Sequence, residues 1–157
     1  MSYLGRFWTS LCAIFLRLDR VPNFVSSGEP ISRFIVYEGH INKTSGSISL
    51  EAFMPSPRTR DTSVYRTVHC SERKVWLIGD IFVARLRKDK RRIHGRADVK
   101  AKSVLQQELK IVPQLSPHPR HAIITKWPDD KPQQRVKAMA LAQGATLRFH
   151  PRRGRSI

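Results

Sequence analysis

The stretch PHPRHAIITKWP, residues 117–128, constrains the fold more than any other. Proline supplies no N–H to a β-ladder, so Pro117 and Pro119 must precede the paired region, and Trp127-Pro128 ends it. Between them Ala122, Ile123 and Ile124 are apolar in succession. Successive strand residues point to opposite faces, so this strand needs cover on both faces. It is therefore expected in the interior of a sheet, with His118 to His121 partly exposed at its start.

The rest of the chain divides around that strand. ISRFIVY (31–37) has strand composition, NKTSG (42–46) is a turn cluster, and SISLEAF (47–53) alternates Ile48, Leu50 and Ala52 on one face. MPSPRTRD (54–61) reads as a proline-rich basic loop, and TSVYRTVH (62–69) as a third strand rich in β-branched residues. Ser71 suits an N-cap for a helix whose Val75, Ile78, Phe82 and Leu86 share a face. Asp98 is expected to cap a second helix striped by Ala101, Val104, Leu105 and Leu109, before a short strand at 110–112. A third helix follows Pro132, with Val136, Met139 and Ala140 on its inner face and Gly144 past its end. ATLRF (145–149) is a last strand. The order predicts an α+β or mixed α/β fold with a single small sheet of five or six strands and three helices. Residues 29–149 form one domain, between an apolar and basic segment at 1–28 and a basic tail at 150–157.

Charge bears most on function. Lys plus Arg number 29 against 12 acids, a net charge of +17 in 157 residues. Such an excess repels itself unless a polyanion neutralises it, which points to nucleic acid. The densest cations are Arg85, Arg87, Lys88, Lys90, Arg91, Arg92, Arg96, Lys100 and Lys102, and Arg148, Arg152, Arg153 and Arg155 could extend their surface. A helix C-terminus gains only about 0.3–1 kcal/mol from each nearby cation, too little to account for this density. No helix-turn-helix, aromatic RNA-binding signature or zinc finger accompanies it, so binding is expected to be electrostatic and of low sequence specificity.

The two cysteines, Cys12 and Cys70, form no C-x-x-C and no disulfide framework; a single Cys12–Cys70 bridge is the alternative to reduced thiols in a cytoplasmic protein, which are the simpler expectation. The apolar stretch 8–16 is far short of the twenty or so residues a membrane span needs. Residues 1–28 are expected to serve as an extension or as an arm for a protein partner.

Taken together, RFIVYEGHINKTSGSISLEAFMPSP, TSVYRT, GRADV and PHPRHAIITKWP resemble a group of small uncharacterised bacterial proteins. These share a histidine before a glycine turn, an A-F-x-P-S-P segment, an S-V-Y/F-R strand and a late R-H-A-x-I strand. The resemblance covers residues 31–147 and implies a bacterial source and a compact shared domain, with no mechanism attached.

A catalytic alternative rests on His40, Arg66, His118, Arg120 and His121. In polyproline geometry residues three apart share an edge, so His118 and His121 would project together with Arg120 beside them. Imidazoles and guanidiniums without a clear carboxylate suit a phosphate-bearing substrate or an RNA end. That reading requires His40, Arg66 and His121 to meet in one cleft. Glu38, Glu51 and Asp98 are the acids to test as partners. No Walker loop, G-x-G-x-x-G, H-E-x-x-H or G-x-S-x-G occurs, and neither a cofactor nor a metal is implied. The reading favoured by charge is an accessory protein that binds nucleic acid or sits in a nucleic-acid-handling complex. A protein-interaction subunit without catalysis is the third alternative.

Overall fold

The computed structural model describes residues 19–151. Strand β1 (Pro30–Ile35) leads through a 3-10 turn (Glu38–His40) to a small hairpin, β2 (Ile41–Asn42) and β3 (Ser47–Ile48). A second 3-10 turn (Leu50–Ala52) precedes β4 (Thr62–Arg66). Helix α1 (Glu72–Ile78) runs on into a π-helical turn (Gly79–Ala84). Then come β5 (Gly95–Lys100), α2 (Ala101–Leu105), β6 (Lys110–Pro113), β7 (His121–Thr125), α3 (Lys131–Gly144) and β8 (Thr146–Phe149).

Six strands form one sheet in the order β6-β7-β4-β1-β5-β8, every neighbouring pair antiparallel. The α+β class with a single main sheet is thus the observed one. Strand β7 is interior, as its apolar run requires, and its two sides meet different layers. Ala122 and Ile124 join a core with Ile31, Val64, Ala97 and Val99, closed by Val104 of α2 and Ala138, Leu141 and Ala142 of α3. The opposite face carries Phe34 and Tyr65 beneath Val75, Trp76 and Ile78 of α1 and Ile81 and Phe82 of the π-helical turn.

Several elements differ from expectation. SISLEAF holds a strand only at 47–48 and then turns 3-10, where Ser49 accepts a hydrogen bond from Glu51 N at 3.3 Å. Residues 95–100, expected to lead into a helix capped by Asp98, form a central strand instead. Ala97 and Val99 face the core while Arg96 and Asp98 lie on the other face, the period-two pattern of a strand. Asp98 accepts from Ser32 Oγ on β1 at 2.6 Å and so serves the sheet. Helix α3 is rotated from its expected phase, with Val136 and Met139 exposed and Ala138, Leu141 and Ala142 inward. Small residues let the helix lie close on the sheet. Leu86, expected on the buried face of the first helix, is exposed beyond the π-helical turn.

Part of the segment 1–28 is docked on this domain. Asp19 pairs with Arg120 and Lys74, and the carbonyls of Pro22 and Phe24 accept from Arg66. Residues 1–18 and Arg152, Arg153 and Arg155 lie outside the described residues, as does Cys12. Cys70 is a free thiol whose pKa is raised by burial. No helix among the described residues is long and apolar enough to cross a membrane.

Candidate functional site: a basic cleft at one end of the sheet

Strands β1 and β4 pair only at Ile31–Arg66 and Ser32–Tyr65, while β4 continues along β7 to Thr62–Ile124. Beyond Ser32 a side chain takes the place of the ladder. Arg33 projects from the core face of β1, donates from Nη1 to the carbonyl of Ser63 at 2.8 Å, and from Nε to the carbonyl of Ala52 at 2.9 Å. Both acceptors are neutral, and no ion pair found among the described residues includes Arg33. Burial of the guanidinium, and then the nearby Arg87, lower its pKa to about 10.

Arg33 lines a cleft of about 950 Å³. One wall is Tyr37 and His40, which follow β1. A second is the loop Met54 to Arg60, a third is Asp129, Lys131 and Gln134 before and within α3, and Arg87 closes the rim. The acids of this cleft are committed. Asp129 pairs with Arg60, and Glu51 with Arg135 at 2.9 Å. Arg87 is held by Asp89 through Nε at 2.9 Å and Nη2 at 2.6 Å. Tyr37 gathers the neighbouring cations: the Arg91 guanidinium lies 4.1 Å from its ring centroid, Arg87 5.6 Å, and the His40 ring 5.1 Å. Burial, then Arg33, lower the pKa of His40, with Glu51 opposing.

The five expected catalytic side chains do not meet. His40 lies in the cleft. Arg66 is fully enclosed on the core face of β4 and spends its fork on Glu29, with Nη2 to Oε2 at 2.9 Å. His121 projects from the opposite face of the sheet, its Nε2 2.8 Å from Ser63 Oγ and its ring 5.2 Å from Tyr65. A serine hydroxyl beside an imidazole resembles a nucleophile and base, but neither residue lines the cleft. His118 is buried against Phe82 at 4.7 Å, and Arg120 donates to the carbonyls of Arg66 and Val68 while pairing with Asp19.

The start of β7 is therefore closed rather than open: His118, Arg120 and His121 are all buried. A turn replaces the expected polyproline edge, because His121 N donates to the His118 carbonyl at 2.9 Å and Arg120 N to His118 Nδ1 at 3.1 Å. Arg66 and Arg120 clamp residues 19–29 to the sheet.

The predicted basic stripe is likewise divided. Arg85, Lys88, Lys90, Arg91 and Arg92 are exposed on the turn before β5, and Arg87 is half-buried there. Arg96 is buried, its guanidinium 4.7 Å from the Trp76 ring centroid and bonded to Asp98 and Glu72, so it is withdrawn from any phosphate surface. Lys100 and Lys102 are exposed but stand near the far end of β5, about 17 Å from its start by the rise of a strand. Arg148 is exposed and bonded to Asp98 at 3.0 Å. Arg33 went unnoticed in the sequence, although a signal exists: Ile31, Arg33 and Ile35 share the core face of one strand, and a lone arginine there needs a reason.

Fold and site together define an α+β domain with a cationic cleft and a cationic turn side by side at one end of an antiparallel sheet. Comparison with protein-family models, with curated proteins and with solved structures finds no match to this chain. Among the described residues no group of three His, Cys, Asp or Glu side chains is placed to hold a metal.

Proposed function

We propose that this protein binds nucleic acid through its phosphates, over the surface made by the turn 85–92 and the adjoining cleft. The observation that carries the reading is their continuity. Tyr37 lies under Arg91 and lines the cleft, and Arg87 belongs to both. Cations that would repel one another are thus held together by an aromatic ring and by Asp89, with Lys88, Lys90 and Arg92 free of any ion pair found among the described residues. A polyanion is the partner that relieves this concentration. Contacts to phosphates carry no sequence information directly, so discrimination among sequences is expected to be weak.

Binding measured against salt concentration tests this. For duplex, log K should fall linearly with log salt at a slope of about −0.9 per phosphate neutralised. Replacing Lys88, Lys90 and Arg92 with glutamine should flatten the slope by about 0.9 for each phosphate no longer neutralised, with the fold intact. No binding at low salt, or a slope unchanged by the triple replacement, removes the proposal.

A further inference from the structure

Half-buried Arg33 does not resemble the buried arginines. Arg66, Arg96 and Arg120 each face a carboxylate of the chain, Glu29, Asp98 with Glu72, and Asp19. Arg33 donates to two backbone carbonyls and lines a cleft. Carbonyl contacts orient a guanidinium without cancelling its charge. A guanidinium has five N–H donors in a fixed fork, so donors remain after those two bonds. A half-buried guanidinium that no carboxylate of the described residues pairs is costly, and such a cost persists where a ligand supplies the paired ion.

We propose that the cleft receives the phosphorylated end of a nucleic-acid strand, with the terminal phosphate monoester on Arg33. This rests on the nucleic-acid reading above and gives that surface an end preference. Depth argues for an end rather than a continuous strand. Arg33 belongs to the regular part of β1, whereas Tyr37, Arg60, Arg87 and Lys131 stand on the surrounding turns and the first turn of α3. A terminal phosphate can reach β1 past the turns with chain on one side only, whereas an internal phosphate carries chain on both. Charge argues the same way. A monoester carries about −1.5 to −2 near neutral pH and three free oxygens, against one charge and two free oxygens for an internal diester. Arg33, the neighbouring His40 and Lys131 can share that load.

The experiment uses the whole chain and three otherwise identical single-stranded oligonucleotides, with a 5′ phosphate, a 3′ phosphate, or hydroxyls at both ends. A hydroxyl-ended oligonucleotide two nucleotides longer carries two further diester charges and so matches the added charge at its upper limit of about −2. Phosphate at one end should tighten binding about tenfold over the charge-matched control, a difference of about 1.4 kcal/mol. Arg33→Met should abolish that gain, so that phosphorylated and charge-matched strands bind alike, while Lys88→Gln on the turn should weaken every strand and keep the gain. Equal affinities among the wild-type complexes overturn the proposal without any variant, as does a gain that survives in folded Arg33→Met. A mononucleotide that binds as tightly as the phosphorylated strand overturns the assignment to a strand end. Failure of every oligonucleotide to bind at low salt sinks the underlying function instead, so the two failures are distinguishable.

Discussion

Arg66 shows how one side chain can be read correctly in kind and wrongly in role. Among the valines of TSVYRTV an arginine that shares a strand face with Val64 needs an anion, and the structure supplies one. The anion is the protein's own Glu29, which a linear reading could not pair with it. With the arginine fully buried and Glu29 nearly so, removing one partner leaves an uncompensated charge in the interior. Glu29→Ala should therefore destabilise the protein by about 3–5 kcal/mol in denaturant unfolding. The pair Arg66→Met with Glu29→Leu should cost much less, because no charge is stranded. Equal losses for the single and double variants would show that the pair's role is packing alone. Arg33 carries the opposite lesson. Its alternation with Ile31 and Ile35 was visible, but its bonds to the Ser63 and Ala52 carbonyls depend on the tertiary fold that brings β4 and the second 3-10 turn to it.

At the scale of elements, legibility followed how far neighbours in sequence decide the outcome. Strands β1, β4, β7 and β8 were visible from composition and alternation, and the first helix from Ser71, which accepts from Lys74 N at 3.3 Å. Strand β5 was hidden because Asp98 has the form of an N-cap ahead of the stripe Ala101, Val104, Leu105 and Leu109, whereas in the fold it accepts from Ser32 and Arg96 on the sheet. The phase of α3 was misjudged because large apolar residues were expected inside, whereas close approach selects alanine. Close approach also governs the passage from α1 into the π-helical turn. A Cβ on Gly79 would lie 2.6 Å from Phe34 Cε1 and 2.7 Å from Ile93 Cδ1. Phe34 cannot yield easily, being held against Tyr65 at 5.4 Å and Trp76 at 6.4 Å between centroids. An alanine for glycine exchange inside a helix ordinarily stabilises by about 0.5–1 kcal/mol. Here Gly79→Ala should instead destabilise by about 1–3 kcal/mol, from overpacking. A rise in thermal midpoint would mean that α1 slides to accommodate the methyl group.

For the molecule as a whole, net charge was the feature the sequence states most openly, and where the charge is spent was the least legible. Part of it goes into internal clamps such as Arg66, Arg96 and Arg120, and part stands free around the cleft. That division makes stability and binding respond to acid in opposite directions. His40, facing Arg33 on β1, Tyr37 on its own turn and Glu51 on the second 3-10 turn, has a pKa below the ordinary 6.5, first from burial and then from Arg33. His121, beside Tyr65 and Ser63 on β4, is lowered by burial, opposed by Ser116 and Asp61 and reinforced by Arg33. Between their folded values and 6.5 the unfolded chain binds more protons than the folded one. Stability in that window therefore rises with pH and is lost as pH falls below about 6.5. The liganded protein should behave differently. A phosphate beside His40 supplies negative charge and raises its pKa, so binding takes up a proton and strengthens on acidification. Thermal melts at pH 7.5 and 5.5, with and without an oligonucleotide bearing the preferred terminal phosphate, should show the free protein weaker in acid and the stabilisation by ligand larger. His40→Gln should reduce both effects while leaving binding at pH 7.5 nearly unchanged. If the increment from ligand is the same at both pH values in the wild type, His40 does not share the phosphate and the load falls on Arg33 and Lys131.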